Sequence, residues 1–374
     1  MLSSRVRDLH ASPVRAMLSV SQRPQVISFA GGLPSPESFA DIELPAPPPA
    51  LLQYGPSEGE PELRRAIAAE LQAGGLDCPA ERVLVLSGSQ QGIDLAAKLF
   101  VDAGAPVAVE APTYLAALQV FRFFGAAFSC LDPADPDRCL GAAETPRLAY
   151  VIPTFQNPTG ACWSLEQRQA LAEACDARGV TLFEDDPYRD LAYDSCERRP
   201  ICGLVRQASW IYQGSFSKTL APGLRLGFLA ASEDLFEHLV RLKQAADLHT
   251  NRLSQWIALR YLEDPARAQR LSRLVAGYRA KRDAFASAMD RHLGGLADWE
   301  TPPGGLFFWA RLRGEHPGLL ERAIARNVLF TPGEHFWAAP DGQPAAMRLN
   351  FSHAEPARAE RGLQVLGELL AEDA

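Results

Sequence analysis

The sequence predicts an α/β chain: a mainly parallel central sheet covered by helices, joined to a smaller α+β domain. Three observations carry this. Six short apolar runs recur, Val83 to Leu86, Val107 to Val109, Leu148 to Ile152, Thr181 to Phe183, Trp210 to Tyr212 and Leu226 to Leu229, most of them separated by helical patterning. Runs that are apolar throughout belong to strands buried on both faces, which is how a helix-covered parallel sheet reads in sequence. Beyond about residue 232 the rhythm changes to a long charged and apolar helical stretch, 232 to 293, followed by GGLFFWARL and MRLNFS, two strand-like segments around another helix. The proline-dense LPAPPPA at 44 to 50 admits neither a regular helix nor a central strand and marks a boundary. The expected division is an N-terminal arm over 1–50, a large domain over 51–255 and a small C-terminal domain over 256–374.

Composition narrows the function. The 374 residues are 47% hydrophobic and 22% charged, close to the averages of globular proteins. With 37 Lys and Arg against 45 Asp and Glu the net charge is −8, so no global basic field attracts a nucleic acid. Seven cysteines, odd in number and without a CxxC pair, fit a reducing, cytoplasmic compartment. Neither a signal-peptide core nor an apolar run of roughly 20 residues is found, so neither export nor a membrane partner is expected. The histidines are dispersed without ligand spacing, and no metal is expected.

In an open parallel sheet the ligand crevice lies beyond the carboxyl ends of the strands. After the first run, Ser87-Gly88-Ser89-Gln90-Gln91 opens a helix, as an anion cradle does and as an ordinary helix cap also does. After the second, Glu110-Ala111-Pro112-Thr113-Tyr114 offers a tyrosine that either stacks on a flat ligand or joins the core. After the third, Asn157-Pro158 is both a pocket amide and a turn signal. The fourth ends in Glu184-Asp185-Asp186-Pro187-Tyr188; three acids at the end of a buried strand are costly unless a cation meets them, and for Glu184 and Asp186 a solvated loop is the alternative. The fifth leads into Gln213-Gly214-Ser215-Phe216-Ser217-Lys218, with Arg225 seven residues on. The helix over Ser164 to Arg178 is expected to start on a capping box, Ser164 with Gln167.

What the motifs do not say singly they say together. An anion loop, an aromatic face, an amide, a buried carboxylate and a Ser/Ser/Lys/Arg cluster converge at one sheet edge, and pyridoxal phosphate has a use for each: an amine for its aldehyde, an acid for its ring nitrogen, a donor for its phenolate oxygen, a stacking ring and a phosphate cradle.

These motifs resemble the fold type I pyridoxal-phosphate aminotransferases, in particular the 2-aminoadipate (kynurenine/aminoadipate) aminotransferase branch. The resemblance rests on SFAGGLPSPESF at 28–39, YGPSEGEPELR at 54–64, SGSQQGIDLAAKLF at 87–100, EAPTYLAALQVFR at 110–122, IPTFQNPTG at 152–160, EDDPYRDL at 184–191, GSFSKTLAPGLRLGF at 214–228, QAADLHT at 244–250 and MRLNFSHA at 347–354. It implies the aspartate-aminotransferase-like fold and, position by position, a set of roles. Lys218 matches the lysine that holds the cofactor as a Schiff base and shuttles the proton. Asp185 matches the carboxylate on the ring nitrogen, Asn157 and Tyr188 the pair on the phenolate oxygen, and Tyr114 the stacking ring. Ser89, Gln90, Ser215, Ser217 and Arg225 match the phosphate cradle. Tyr54 matches a tyrosine that reaches the neighbouring subunit's phosphate, which implies a homodimer with shared active sites. Arg348 matches the arginine that grips the substrate α-carboxylate, Gly32 a glycine of the substrate loop, and Arg15 an N-terminal arginine that meets a distal carboxylate. His249 reads as a structural histidine in a turn.

The expected reaction moves the amino group of an L-amino acid of 2-aminoadipate, glutamate, leucine or aromatic type to a 2-oxo acid, 2-oxoglutarate by resemblance, in two ping-pong steps. Two other readings share the motifs: β-elimination or decarboxylation on the same cofactor, and a relative of the effector domain of cofactor-sensing transcription regulators. The motifs begin within the first thirty residues, which leaves no room for a DNA-binding module ahead of them. One segment departs from the family: between PESF and YGPSEG this chain has only ADIELPAPPPALLQ where the family has a longer helical stretch, close to the expected site entrance.

Overall fold

The computed structural model describes residues 3–7, 17, 20–39, 44–141 and 144–373. Following a two-residue strand of the N-terminal arm, β1 (Ile27–Ser28), come β2 (Val83–Leu86), β3 (Pro106–Glu110), β4 (Ala127–Leu131), β5 (Leu148–Val151), β6 (Thr181–Asp185), β7 (Trp210–Ser215) and β8 (Gly227–Ala231). β2 to β8 form one seven-stranded sheet in the order β2-β8-β7-β6-β5-β3-β4. β8 is antiparallel to both its neighbours, and all other pairings are parallel. The six apolar runs all lie in this sheet. A seventh strand, β4, has no apolar run because it lies at the edge, where only Leu131 is buried.

The uniform hydrophobicity of the six apolar strands has the expected cause. Val83 and Val85 face one core and Leu84 and Leu86 the other. Likewise Ala149, Val151 and Leu182 face the first core, and Leu148, Tyr150 and Phe183 the second. Helices Pro61–Ala73, Leu165–Arg178 and Arg252–Glu263 cover the first face. Ser89–Phe100, Leu115–Phe124 and Glu233–Asp247 cover the second. Each fully buried Leu or Phe in such a layer contributes about 1.5–3 kcal/mol. The predicted capping box is present: Ser164 Oγ accepts from the Gln167 N–H and Gln167 Oε1 from the Ser164 N–H.

The helical stretch 232–293 is three helices rather than one, Glu233–Asp247, Arg252–Glu263 and Arg267–Leu293. The first break falls at Leu248, whose φ of 64° no helix accommodates, and the next helix starts from Asn251, which caps the Ser254 N–H. Ala258, Leu259 and Tyr261, beyond the 255/256 division, pack into the large-sheet core. The second layer contains β9 (Ala297–Asp298), β10 (Phe307–Leu312), β11 (Val328–Leu329), β12 (Thr331–Pro332) and β13 (Ala346–Asn350). β12-β13-β10-β9 is a four-stranded antiparallel sheet, and β1 pairs in parallel with β11. Ile27 and Phe29 of the arm therefore pack in the C-terminal core with Phe285, Phe308 and Phe351. No helix among the described residues is long and apolar enough to cross a membrane.

Candidate active site

The carboxyl ends of β3, β5, β6 and β7 and the start of β8 open on one cavity. It is lined by Ser89, Gln90, Tyr114, Asn157, Asp185, Tyr188, Ser215, Ser217, Lys218 and Arg225, together with Ile152 and Pro187. Ten of the residues read from the motifs are thus brought together. Because β8 runs opposite to its neighbours, its beginning lies at the crevice, which is how Arg225 reaches it.

Strand alternation sorts the three acids at the end of β6, Glu184 and Asp185 within it and Asp186 just beyond. Glu184 and Asp186 point to the first core, and neither is a solvated loop residue, since both are buried. Arg168, itself fully buried, stands 3.8 Å from Glu184, and Arg189 stands 3.3 Å from Asp186. Asp185 points to the other face and into the cavity. Tyr150 Oη donates to its Oδ2 at 2.7 Å and Gln213 Nε2 to its Oδ1 at 2.9 Å. No Lys, Arg or His among the described residues pairs with it. Burial raises its pKa to about 6 against these two hydrogen bonds, so at neutral pH it is a buried anion held by neutral donors.

The cations show the mirror image. Arg348, on β13, is 4% exposed and has no carboxylate partner among the described residues. Its Nη1 donates to Asn157 Oδ1 at 2.9 Å and its Nη2 to the Ala30 carbonyl and, at 3.4 Å, to Thr331 Oγ1. Nε has no partner. The guanidinium lies over the rings of Phe307 and Phe336 at 4.3 and 4.9 Å. Burial lowers its pKa to about 10, so it remains charged at neutral pH. A ligand seated here has to bring an anion to Arg348 and a cation to Asp185.

Lys218 lines the same cavity as Asp185; its Nζ donates to the Gly32 carbonyl at 2.8 Å and sits 5.9 Å from the centre of the Tyr188 ring. Burial, and after it the positive charges of Arg348 and Arg225, lower its pKa to about 8. A Cβ on Gly32 would come within 3.2 Å of the Phe307 ring and 4.0 Å of this Nζ, so the glycine lets the backbone approach the amine closely. Tyr188 hydrogen-bonds Asn157, and burial raises the pKa of both Tyr188 and Tyr114.

At the other end, the helix Ser89–Phe100 starts without a side-chain cap from Gly88, at a φ of 88°. A Cβ there would lie 2.5 Å from Arg225 Nη2. The uncapped first turn, the guanidinium and the hydroxyls of Ser89, Ser215 and Ser217 form a cradle for a doubly charged anion, and a side chain at 88 would fill it. Tyr54 is not brought in: it is 76% exposed, its ring edge-on to His249 at 5.8 Å. His249 itself bonds the Thr250 carbonyl in a turn. Arg15 lies outside the described residues. The motifs did not reveal Tyr150, Gln213, Thr331, Phe307 or Phe336. Gln213 alone left a signal, as a polar residue that continues an apolar strand.

Comparison with known proteins agrees with this geometry. The family model described as aminotransferase class I and II matches residues 46–366. The 2-aminoadipate transaminase of Thermus thermophilus is 37% identical over 97% of this chain and 94% of its own length. The crystal structure of the Pyrococcus horikoshii kynurenine aminotransferase in complex with PMP superposes with a TM-score of 0.90 at 31% identity, covering 100% of this chain and 97% of that one. That of the Thermus thermophilus α-aminoadipate aminotransferase complexed with N-(5'-phosphopyridoxyl)-L-leucine gives 0.87 at 34%, covering 99% and 97%. Matched along most of its length, the chain belongs to the class I and II aminotransferases.

Proposed function

We propose that the protein is a pyridoxal-phosphate-dependent aminotransferase that moves the amino group of an L-amino acid to a 2-oxo acid. One observation carries it: a single cavity is lined by a depressed-pKa lysine and a buried carboxylate without a cationic partner among the described residues, and the buried Arg348 guanidinium, likewise without a carboxylate, bonds Asn157 of its wall.

The residues fit the cofactor. Lys218 would anchor it, Asp185 would take its protonated ring nitrogen, Tyr114 its ring face and Asn157 with Tyr188 its phenolate oxygen. Ser89, Gln90, Ser215, Ser217 and Arg225 would hold its phosphate. When bound, it supplies an electron sink for the bond broken at the substrate Cα. The chain's own part follows from its electrostatics. At pH 7–8 an appreciable share of Lys218 is free amine, able to take a proton at Cα and return it. Asp185 holds its charge through Tyr150 and Gln213 without a competing cation. Arg348, fixed by Asn157, Ala30 and Thr331, orients the α-carboxylate bidentately. Donor and acceptor both present a carboxylate to this one guanidinium, so the first leaves as its 2-oxo acid before the second enters.

The donor is of 2-aminoadipate, glutamate, leucine or aromatic type, and 2-oxoglutarate is the acceptor. Leu52 at 79%, Tyr54 at 76% and Leu248 at 47% exposure are apolar surface that a second copy would cover, with Tyr54 serving the neighbouring site of a homodimer. Seven free cysteines suit a cytoplasmic enzyme. The test is the visible absorption of the purified protein with added pyridoxal phosphate. A band that forms, is lost on adding one of the four donor types and returns with 2-oxoglutarate is expected. A band that no donor discharges would favour elimination or cofactor sensing, and no band at all would refute the role of Lys218.

A further inference from the structure

Seven cysteines give no pairing signal in the sequence, yet the fold brings two of them together behind the active site. Cys162 follows Asn157 in the connection from β5 to helix Leu165–Arg178, and Cys196 follows Tyr188 in the loop from β6 to β7. They stand 34 positions apart in the chain, the Cys162 thiol meets the carbonyl of Glu197, the residue after Cys196, and the two thiols shift each other's pKa. Both are half-buried and free, open to a small oxidant.

The two segments are already held in place. Arg168 donates to the Trp163, Pro153 and Thr154 oxygens of the first at 3.1, 2.8 and 3.0 Å. It also donates to the Glu197 and Arg199 carbonyls of the second at 3.1 and 3.0 Å. Cys162 Sγ donates to the Glu197 carbonyl at 3.0 Å, and Arg168 Nη2 lies 3.8 Å from that sulfur. The guanidinium favours a thiolate at Cys162, and its pKa falls to about 7, with the Cys196 thiol as the main cause. The proton remains on Cys196, whose pKa is raised. At neutral pH a share of Cys162 is therefore thiolate, having given up the proton it otherwise donates to the Glu197 carbonyl, and Cys196 beside it is a protonated thiol.

We propose that Cys162 and Cys196 are a reversible oxidation site that closes to a disulfide on reaction with a hydroperoxide. The Cys162 thiolate attacks the peroxide, an S–O bond forms, the O–O bond breaks, and the departing hydroxide is protonated to water. The sulfur, now a sulfenic acid, has given up two electrons. Cys196 Sγ then attacks it; the S–S bond forms, the S–O bond breaks, and the hydroxide leaves with the Cys196 proton as a second water. The product has an S–S bond of about 2.05 Å and ties the wall that carries Asn157 to the wall that carries Tyr188. The inference stands apart from the proposed function, because it concerns thiols outside the cavity and its readout is chemical.

The test uses the full-length protein, reduced, freed of reductant and treated with one equivalent of hydrogen peroxide. Titratable thiols should fall from seven to five, a non-reducing peptide map should show one cross-linked pair containing Cys162 and Cys196, and dithiothreitol should restore all seven thiols. Cys196→Ser should leave a sulfenic acid on Cys162 that dimedone traps. Cys162→Ser should slow the first thiol loss about ten-fold, the difference between a partly ionised thiol and an ordinary one at neutral pH. Oxidation at exposed Cys130 or at Cys139 instead, a sulfinic acid on Cys162 with Cys196 untouched, or seven persisting thiols would each overturn the proposal.

Discussion

The two faces of β6 handle the same problem differently. Toward the first core, Glu184 and Asp186 are buried and each meets a guanidinium, Arg168 or Arg189. Toward the cavity, Asp185 is equally buried and meets only a phenol and an amide. Burial raises the pKa of all three, to about 7 at Glu184 and about 6 at Asp185, so the contrast lies in partners rather than in degree of desolvation. A buried charge with a fixed counter-charge braces the structure; one without is available to a ligand.

The comparison can be broken by mutation. The largest effect is expected at the centre of the unpaired face: Lys218→Ala should lower turnover roughly 10⁴-fold with folding intact by circular dichroism. On the paired face, Arg168→Met should cost about 3–5 kcal/mol in chemical denaturation, since it strands Glu184 and removes the hydrogen bonds that join two loops. An unchanged denaturation midpoint would show that the bracing lies elsewhere.

Asp185→Asn should separate the two roles. Turnover should fall about 10²-fold, while the cofactor-free protein becomes more stable at pH 7 by roughly 2–3 kcal/mol. The sign follows from linkage. The carboxyl is raised from 3.8 to about 6, so between pH 4 and 6 the unfolded chain has already lost a proton that the folded protein still holds. Stability therefore falls as pH rises through that window, and the asparagine variant should lack this contribution to the fall. Arg348→Gln should raise KM for both substrates about 10²-fold, with less effect on the cofactor band. The smallest effect is on pH: cofactor capture should be half-maximal near pH 8, and removing the positive charge of Arg348 or Arg225 should move that midpoint upward by less than one unit.

The sheet was legible because six of its seven strands are buried on both faces and therefore apolar throughout. Strand direction leaves no such mark, so the reversal of β8 emerged only from its pairing. β4 was silent because an edge strand with one buried residue has no apolar run. The cavity residues were legible because they cluster after strand ends. Arg348 was recognised only through its motif, since it comes from the other layer. Tyr150 was hidden as an aromatic among apolar residues, and Cys162 with Cys196 because a contact across two loops has no sequence period. Glu184 and Asp186 were misjudged as candidates for a solvated loop because their counter-charges come from other positions, Arg168 in a helix and Arg189 in the following loop.

The reversal of β8 has one more consequence. Since β7 ends and β8 begins at the same crevice, Ser215, Ser217, Lys218 and Arg225 all hang from one return of chain between Ser215 and Gly227. Its length works as a ruler between the amine proposed to anchor the cofactor and the guanidinium proposed to hold its phosphate. The amine and the guanidinium cannot drift apart through independent changes in two loops. A one-residue insertion here would spoil both contacts at once.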